Sequence, residues 1–517
     1  MPERKRFTKS DLLLAALLFA GSLLVRLWLR GSFDGLYGQD AYAYYDFAQA
    51  LRTSLNGGAA PGPFFWPLGF PALLMASNAL SGTTPASAQA VCLVTGALLP
   101  VLVYLLSRQL GAGQFGALAG GLLMAVCGQA IQSSIVVMAD IPALFWATLS
   151  GVLLWWYLQS GITEPAFKQR AWALVGSGVV FALAVITRWL SLALALPWGL
   201  ALLLAGGVRW RSAALALAGA ALVFAPQMLY SRTNPYPTLN HAWVEGWSPA
   251  NLLQKEFTNV DGHFVYPQVN ALFYGQVFSD PYYIWPVLTP FMLIGAWGLW
   301  RRRAYPQFCF LLGWALIPYL FLAGIPYQNI RFPLIVFPAV AILTGLGFEW
   351  AVRHLSQRIS TRLAYAAAAI LLLWSIGGML KQGADTIRVF VANQERDKAT
   401  ANWVRNQLPP ASSIYTFGLT LTLQHYTPLH VREIYYETPQ TLAADWGCND
   451  YLLLNLWDIQ HQWAGREPDT VYQWLRDHRG LTQMGQFGYY TLFRVGSVAR
   501  TNGDQTAAVE PVDHPCP

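Results

Sequence analysis

Residues 38–66 read GQDAYAYYDFAQALRTSLNGGAAPGPFFW. The stretch follows an apolar run of membrane-spanning length, Leu12 to Leu29, and sets Asp40 and Asp46 among tyrosines, with Asp34 just before it. The connection is far longer than a turn requires, and long loops carried on a rigid scaffold tend to hold functional groups. It reads as the rim of an active site at a membrane surface, with Asp40 as its leading residue.

The chain around it supports the membrane setting. Of 517 residues, 55% are hydrophobic and only 11% charged, well under the charge content of a soluble domain, and the apolar residues come in repeated long runs. The formal charge of +7 does not point to nucleic acid, because the basic residues sit in short clusters between apolar runs, as topology signals do. Cys92, Cys127 and Cys309 fall inside apolar runs and read as small buried hydrophobes, while Cys448 and Cys516 lie in polar sequence without metal-ligand spacing. The basic start and long apolar run at the N-terminus, with no small-residue cleavage site after it, read as a first span rather than a signal peptide.

Apolar runs at Leu12–Leu29, Ala88–Leu106, Phe115–Ile131, Ile141–Leu158, Ala171–Ile186, Leu190–Leu204, Ala213–Leu229, Ile284–Trp300, Phe308–Ala323, Phe332–Trp350 and Leu363–Met379 suggest about eleven spans, several short of the ~20 residues of a perpendicular helix. An odd count places the termini on opposite sides. With the N-terminus cytoplasmic, the inner loops collect Arg4, Lys5, Arg6, Lys9, Arg108, Lys168, Arg170, Arg209, Arg211, Arg301 to Arg303, Arg353, Arg358 and Arg362, which satisfies the positive-inside rule. Pro67–Leu80 is apolar but short and broken by Pro71; it reads as a helix lying on or dipping into the outer face. This topology gathers Asp34, Asp40, Asp46, Asp140, Arg188, residues 231–283 and Arg331 on the outer side, although they are scattered along the sequence. Convergent polar groups at one membrane face are what a catalytic cleft between helices requires.

After Met379 the pattern changes. A helical stretch from Asp385 ends at Pro409 and Pro410, and short β-type runs (SSIYTFG, VREIYY, DYLLLNL, GYYTLFRV) then alternate with helical or turn segments. The fold class expected is therefore an α-helical polytopic membrane protein with a small C-terminal α/β domain outside the membrane. Its parts would be residues 1–382, with outer loops 30–87 and 231–283, a soluble unit over 383–496, and a disordered polar tail over 497–517.

The residues QDAYAYYDFA, FFWPLGFPALL, MADIPALFW and ITRWL, in that order, resemble the GT-C superfamily of glycosyltransferases, nearest to its protein mannosyltransferase and lipid A aminoarabinose transferase group. The resemblance runs from the first span through Arg331 and implies transfer of a sugar from a polyprenyl phosphate carrier at the outer face of the membrane. Asp40 matches the family's first-loop aspartate, which the resemblance implies is the catalytic base. The chemistry agrees, since an acceptor hydroxyl must lose its proton as the glycosidic bond forms, while a phosphate leaving group needs cations rather than an acid. The sequence departs from the commoner Asp-Glu pair, with Ala41 after Asp40, so a second carboxylate role is absent or falls to Asp46. Asp40 also suits an N-cap for a helix from Ala41 to Leu51. Asp140, before Pro142, is helix-start grammar and, by the resemblance, a cavity residue.

Arg188 and Arg331 are the candidate phosphate clamps, since a guanidinium pairs with phosphate oxygens bidentately and keeps its charge; snorkelling to lipid headgroups is the plain alternative. Tyr44 and Asp46 complete the proposed substrate-binding set. Arg26, inside the first span, needs a partner such as Asp34 or the lipid phosphate. His241, Glu245 and His263 in the aromatic outer loop fit no ligand motif, so neither a metal nor another cofactor is expected beyond the lipid-linked donor. The partners expected are a polyprenyl-phosphate sugar, an acceptor lipid, protein or polysaccharide, and membrane lipids, with a bacterial plasma membrane as the site. An oligosaccharyltransferase is the near rival, with LWDIQ at Leu456–Gln460 a poor counterpart of its Trp-Trp-Asp motif. A carrier-lipid flippase or a non-enzymatic scaffold is the rival of another class.

Overall fold

The structure, a computed structural model, describes residues 8–159, 164–205, 210–234, 242–445 and 450–496. The expected tail at 497–517, Cys448, Cys516, His241 and the basic residues Arg4, Lys5, Arg6 and Arg209 lie outside them. The chain divides into two compact units. The first contains Met1–Leu36, Tyr44–Lys255 and Tyr266–Val391; the second contains Tyr37–Ala43, Glu256–Val265 and Ala392–Pro517. Along the chain the second unit resumes at Ala392, and it also takes in Tyr37–Ala43 and Glu256–Val265, which lie within the expected outer loops.

In chain order the helices begin with α1 (Lys9–Arg30), α2 (Gly38–Leu55), α3 (Gly69–Ser81), α4 (Pro85–Gln109), α5 (Gln114–Val126), α6 (Gly128–Ile135) and α7 (Asp140–Leu158). They continue with α8 (Glu164–Thr187), α9 (Ala195–Ala205), α10 (Trp210–Thr233) and α11 (Ala242–Glu245). After a two-stranded hairpin, β1 (Glu256–Asn259) and β2 (Gly262–Val265), come α12 (Asn270–Gly275), α13 (Thr289–Arg301), α14 (Tyr305–Ala323), α15 (Phe337–Leu355) and α16 (Thr361–Gln407). Sequence grammar sets the starts. Thr8 and Asp11 cap α1 reciprocally, the Asp11 carboxylate taking the Thr8 N–H at 2.8 Å and the Thr8 hydroxyl the Asp11 N–H at 3.3 Å. Thr84 and Ser87 do the same for α4, with Pro85 at its first position.

The chain is an integral membrane protein with helices of spanning length. Among the described residues seven helices are long and apolar enough to cross a membrane, or eight if α5 and α6 form one bent span. The expected single run Phe115–Ile131 is in fact broken at Cys127, where the two helices bend by 52°. Leu190–Leu204 opens with a 3-10 turn, Trp189–Leu194, before α9, and the eighth expected run has only 13 helical residues in α13, about 20 Å of length. The run at 67–80 does form a helix, α3, of 13 residues. The span after Leu363 and the later helix from Asp385 are one element, the 47-residue α16; nothing between them breaks a helix, and only the loss of apolar periodicity marks the change of setting.

The buried arginine of α1 corrects an expectation. Arg26 is fully enclosed and does not bond Asp34. Its Nε donates to Ser134 Oγ at 3.0 Å and its Nη1 to the Ser22 carbonyl at 3.1 Å, so hydroxyls and carbonyls meet part of the charge, while Nη2 has no hydrogen-bond partner among the described residues. A Cβ at Gly96 would run into Ser134 Oγ and Arg26 Nε, which is why the approach of α4 there requires glycine.

The second unit is an α/β sheet of order β4-β3-β5-β7-β6, built from β3 (Ser413–Thr416), β4 (His430–Glu433), β5 (Asp450–Leu454), β6 (Leu481–Phe487) and β7 (Tyr490–Val495). Its helices are α17 (Thr420–Tyr426), α18 (Pro439–Asp445), α19 (Leu456–Gln460) and α20 (Glu467–His478). β3 pairs in parallel with both β4 and β5, and β7 runs antiparallel between β5 and β6. Alternation divides the core into two layers. Ile414, Tyr451 and Leu453 pack with Val404 of α16 and Leu423 of α17, whereas Tyr415, Leu452 and Leu454 pack with Val471 and Leu475 of α20. All five residues of β5 are buried, as a central strand covered on both faces demands. β6 was not expected: LTQMGQF lies at the sheet edge with mostly exposed polar positions, so it lacks the apolar signal of its neighbours.

Candidate active site

In the helical unit, three of the candidate residues meet in one pocket. Asp140 opens α7, Arg188 lies in extended backbone between α8 and the 3-10 turn Trp189–Leu194, and Arg331 precedes a second 3-10 turn, Phe332–Val336. Each sits where a helix starts or stops, and a Pro follows two residues after both Asp140 and Arg331, so the helix grammar read in the sequence also places charge at element ends. The pocket is a shallow, solvent-open depression that sets Asp140, Arg188, Ser191 and Arg331 against Leu144, Phe332 and other apolar side chains.

The charges are partly balanced. Arg188 Nη1 lies 3.1 Å from Asp140 Oδ2, with the carboxylate side chain 5% exposed and the arginine 20%. Asp140 therefore pairs with an arginine, and its side chain makes no capping bond to α7. The Arg188 guanidinium also lies 5.2 Å from the centre of the Phe332 ring, which adds a cation–π attraction. Arg331 is oriented by its own neighbours: its Nε and its backbone N–H both donate to Asn329 Oδ1, at 3.3 and 3.0 Å, and its Nη1 faces Met138 Sδ at 2.9 Å. Asn329 and Met138 were not singled out in the sequence. The signal was present, since both lie two residues from the site residues in NIRFP and MADIP and an Asn side chain commonly bonds the backbone two positions on. An open pocket with two guanidiniums, one of them already sharing a carboxylate, and an apolar wall suits a phosphate joined to a hydrocarbon chain.

The remaining candidates are elsewhere. Asp40 belongs to the second unit's segment Tyr37–Ala43, where it is half-buried in the first turn of α2. It is not the N-cap, because α2 begins at Gly38 rather than Ala41; Gly38 has a φ of 71°, a left-handed geometry that glycine takes without strain. Tyr44 is 2% exposed and packed among Phe64, Trp66 and Phe70 at 5.7, 6.2 and 4.9 Å between ring centres. Asp46 is exposed on α2. Among the described residues no three His, Cys, Asp or Glu side chains are grouped to hold a metal. His263 instead faces Glu256 and Thr258 across the β1–β2 hairpin.

No curated protein matches the sequence. A family model described as dolichyl-phosphate-mannose-protein mannosyltransferase matches residues 70–213, a stretch that holds Asp140 and Arg188 but neither Asp40 nor Arg331. The solved structure of ArnT from Cupriavidus metallidurans in the apo state superimposes with a TM-score of 0.65 at 14% identity, over 94% of this chain and 98% of that one. The fold is that of the GT-C glycosyltransferases. The same GT-C protein bound to undecaprenyl phosphate gives 0.61 at 14% identity, over 94% and 97%. Archaeal oligosaccharyltransferase AglB from Archaeoglobus fulgidus, in complex with an inhibitory peptide and a dolichol-phosphate, gives 0.61 at 13% identity, over 97% of this chain and 75% of that one.

Proposed function

We propose that this GT-C protein is an inverting glycosyltransferase that takes a sugar from a polyprenyl-phosphate carrier and gives it to an acceptor at the outer face of a bacterial plasma membrane. The observation that carries the reading is the pocket in which Arg188 and Arg331, distant in sequence, converge beside Asp140 against an apolar wall. In support, one structural relative is solved with undecaprenyl phosphate and another with a dolichol-phosphate, both phosphates on polyisoprenoid chains. The placement of Arg and Lys along the sequence favours a cytoplasmic N-terminus.

In this reading Arg188 and Arg331 hold the carrier phosphate. Asp140 holds Arg188 in place and tempers its charge, so that the phosphate binds without being trapped as product. The acceptor oxygen attacks the anomeric carbon, the bond from that carbon to the phosphate oxygen breaks, and the phosphate departs with the electron pair onto fixed guanidinium charge. The acceptor proton passes to Asp40. One displacement inverts the anomeric centre, and neither a metal nor a second carboxylate is needed.

The test is mass spectrometry of total polyprenyl phosphate lipids from cells lacking the native gene, complemented with wild type or Asp40→Asn at matched expression. We expect the variant alone to accumulate a glycosylated carrier lipid, at 10-fold or more over wild type, on the order of a general-base contribution. The same spectrum identifies the sugar. Indistinguishable lipids with full complementation by the variant would overturn the base assignment and favour a flippase or scaffold.

A further inference from the structure

The α/β unit carries a feature that its sheet topology explains. Strands β4, β3 and β5 are parallel and occur in that spatial order, so the chain leaves β3 to one side and returns past it to the other. Such a reversal opens a crevice at the carboxyl ends of the strands, the usual ligand position in open α/β sheets. Here that edge is held by the chain itself. Gln39, the residue before Asp40, accepts the Leu421 N–H of α17 on its Oε1 at 3.2 Å and offers its Nε2 to Glu433 Oε2, at the end of β4, at 3.4 Å. The Thr420 hydroxyl donates to the same carboxylate oxygen at 2.5 Å. Two residues past Asp40, Tyr42 is 2% exposed, with its ring 5.5 Å from His425 and 6.2 Å from Tyr426 of α17. Asp40 is thus bracketed by two anchors while remaining half-exposed itself.

We propose that the α/β unit positions the catalytic aspartate: Gln39, held by Glu433 and the start of α17, and Tyr42, packed on α17, fix the first turn of α2 so that the Asp40 carboxylate is presented in one orientation. The proposal rests on the reading of Asp40 as the base. Gln39, Tyr42, Thr420 and Glu433 are positioning residues and touch no substrate. A base must be held within a fraction of an ångström of its proton, and a loose first turn would lose rate without losing substrate affinity.

The experiment uses the full-length protein in lipid nanodiscs and in complementing cells. Gln39→Glu sets a second carboxylate against Glu433, whereas Gln39→Glu with Glu433→Gln restores both bonds of position 39, the new glutamate accepting from Leu421 N–H and from the new amide, whose second N–H can donate to the Thr420 hydroxyl oxygen in place of the bond that hydroxyl gave. Hydrogen–deuterium exchange of peptides over 38–48 is expected to speed at least 10-fold in Gln39→Glu and to return to the wild-type rate in the double variant. Glycosylated carrier lipid is expected to build up in Gln39→Glu as in Asp40→Asn and to be consumed again in the double variant. Unchanged exchange and unchanged lipids in Gln39→Glu, beside an inactive Asp40→Asn, would overturn the positioning role alone. Failure of the double variant to recover either readout would do the same. An Asp40→Asn variant that still consumes the carrier lipid would overturn the base assignment and, with it, the positioning of a base, while the exchange result would still report whether the first turn is anchored.

Discussion

Two carboxylates, Asp140 buried in one unit and Glu433 half-buried in the other, are stabilised in opposite ways. Asp140 in the helical unit faces the guanidinium of Arg188; Glu433 in the α/β unit is met by neutral groups, the Thr420 hydroxyl, the Gln39 amide and the backbone N–H groups of Ile434 and Tyr435. A carboxylate matched with a cation is a fixed charge, whereas one met by neutral dipoles bears its desolvation unpaid. The first arrangement suits a group that must share a site with an anion, the second a group that only holds another residue in place.

The largest effect should come from breaking the charged pair. Arg188→Gln leaves Asp140 enclosed beside apolar side chains, and removing one partner of a buried ion pair typically costs roughly 3–5 kcal/mol. The apparent melting midpoint should fall sharply and glycosylated carrier lipid should accumulate. Adding Asp140→Asn should recover most of the midpoint, because both charges are then gone, but not carrier-lipid consumption. That split is the informative part. If the double variant consumes the lipid normally, Arg188 serves only Asp140 and the phosphate-clamp role is lost.

The neutral arrangement should show itself in pH dependence. Burial pushes the Glu433 carboxyl up from 4.5 to about 7, against the opposing pull of Thr420, and burial likewise pushes Asp397 up from 3.8 to about 6. A carboxyl raised on folding favours the protonated folded state, so its contribution is complete below its unfolded value and is lost as pH rises through its folded one. The melting midpoint of the α/β unit should therefore fall as pH rises from about 5 to about 8, by the equivalent of up to about 3 kcal/mol from Glu433. Glu433→Gln should remove most of that slope and leave the part due to Asp397. A flat wild-type profile would mean that Glu433 is solvated and does not bear its charge in a buried place.

The two sites also differ in how far the sequence revealed them. Asp140, Arg188 and Arg331 were legible because charge at the end of an apolar run is costly and draws attention, and because their helix starts are written locally as Asp-x-Pro and Arg-x-Pro. Asp140 could be read either as a cap or as a cavity residue, since a cap and an ion pair leave the same local signature and only a residue distant in sequence separates them. Gln39 and Glu433 were invisible: a Gln in a loop and a Glu within the β-type run VREIYY carry no signal of a site, and their meeting depends on the sheet order. The break at Cys127 was missed because Gly128, Ala130 and Ile131 keep the segment apolar enough to read as one span. The unbroken α16 was missed for the converse reason, because a change of polarity was taken for a change of element.

The smallest effect is expected at an exposed pair, and it completes the series from enclosed charge to solvated charge. In the β1–β2 hairpin His263 Nε2 lies 3.7 Å from Glu256 Oε1, with the side chains 44% and 66% exposed, and such pairs contribute about 0–1 kcal/mol. The hairpin is held mainly by its backbone, where the His263 N–H donates to the Gln462 carbonyl at 2.8 Å and Gly262 turns at a φ of 116°. His263→Ala keeps both features, so it should shift the melting midpoint by less than a degree or two and leave carrier-lipid consumption, with or without chelator, at the wild-type level. The outcome that would break the comparison is specific. Loss of consumption in His263→Ala, matched by loss in the wild type on chelation, would mean that this solvated hairpin holds a metal for the reaction, and that the chemistry depends on a charge the neutral and paired carboxylates do not supply.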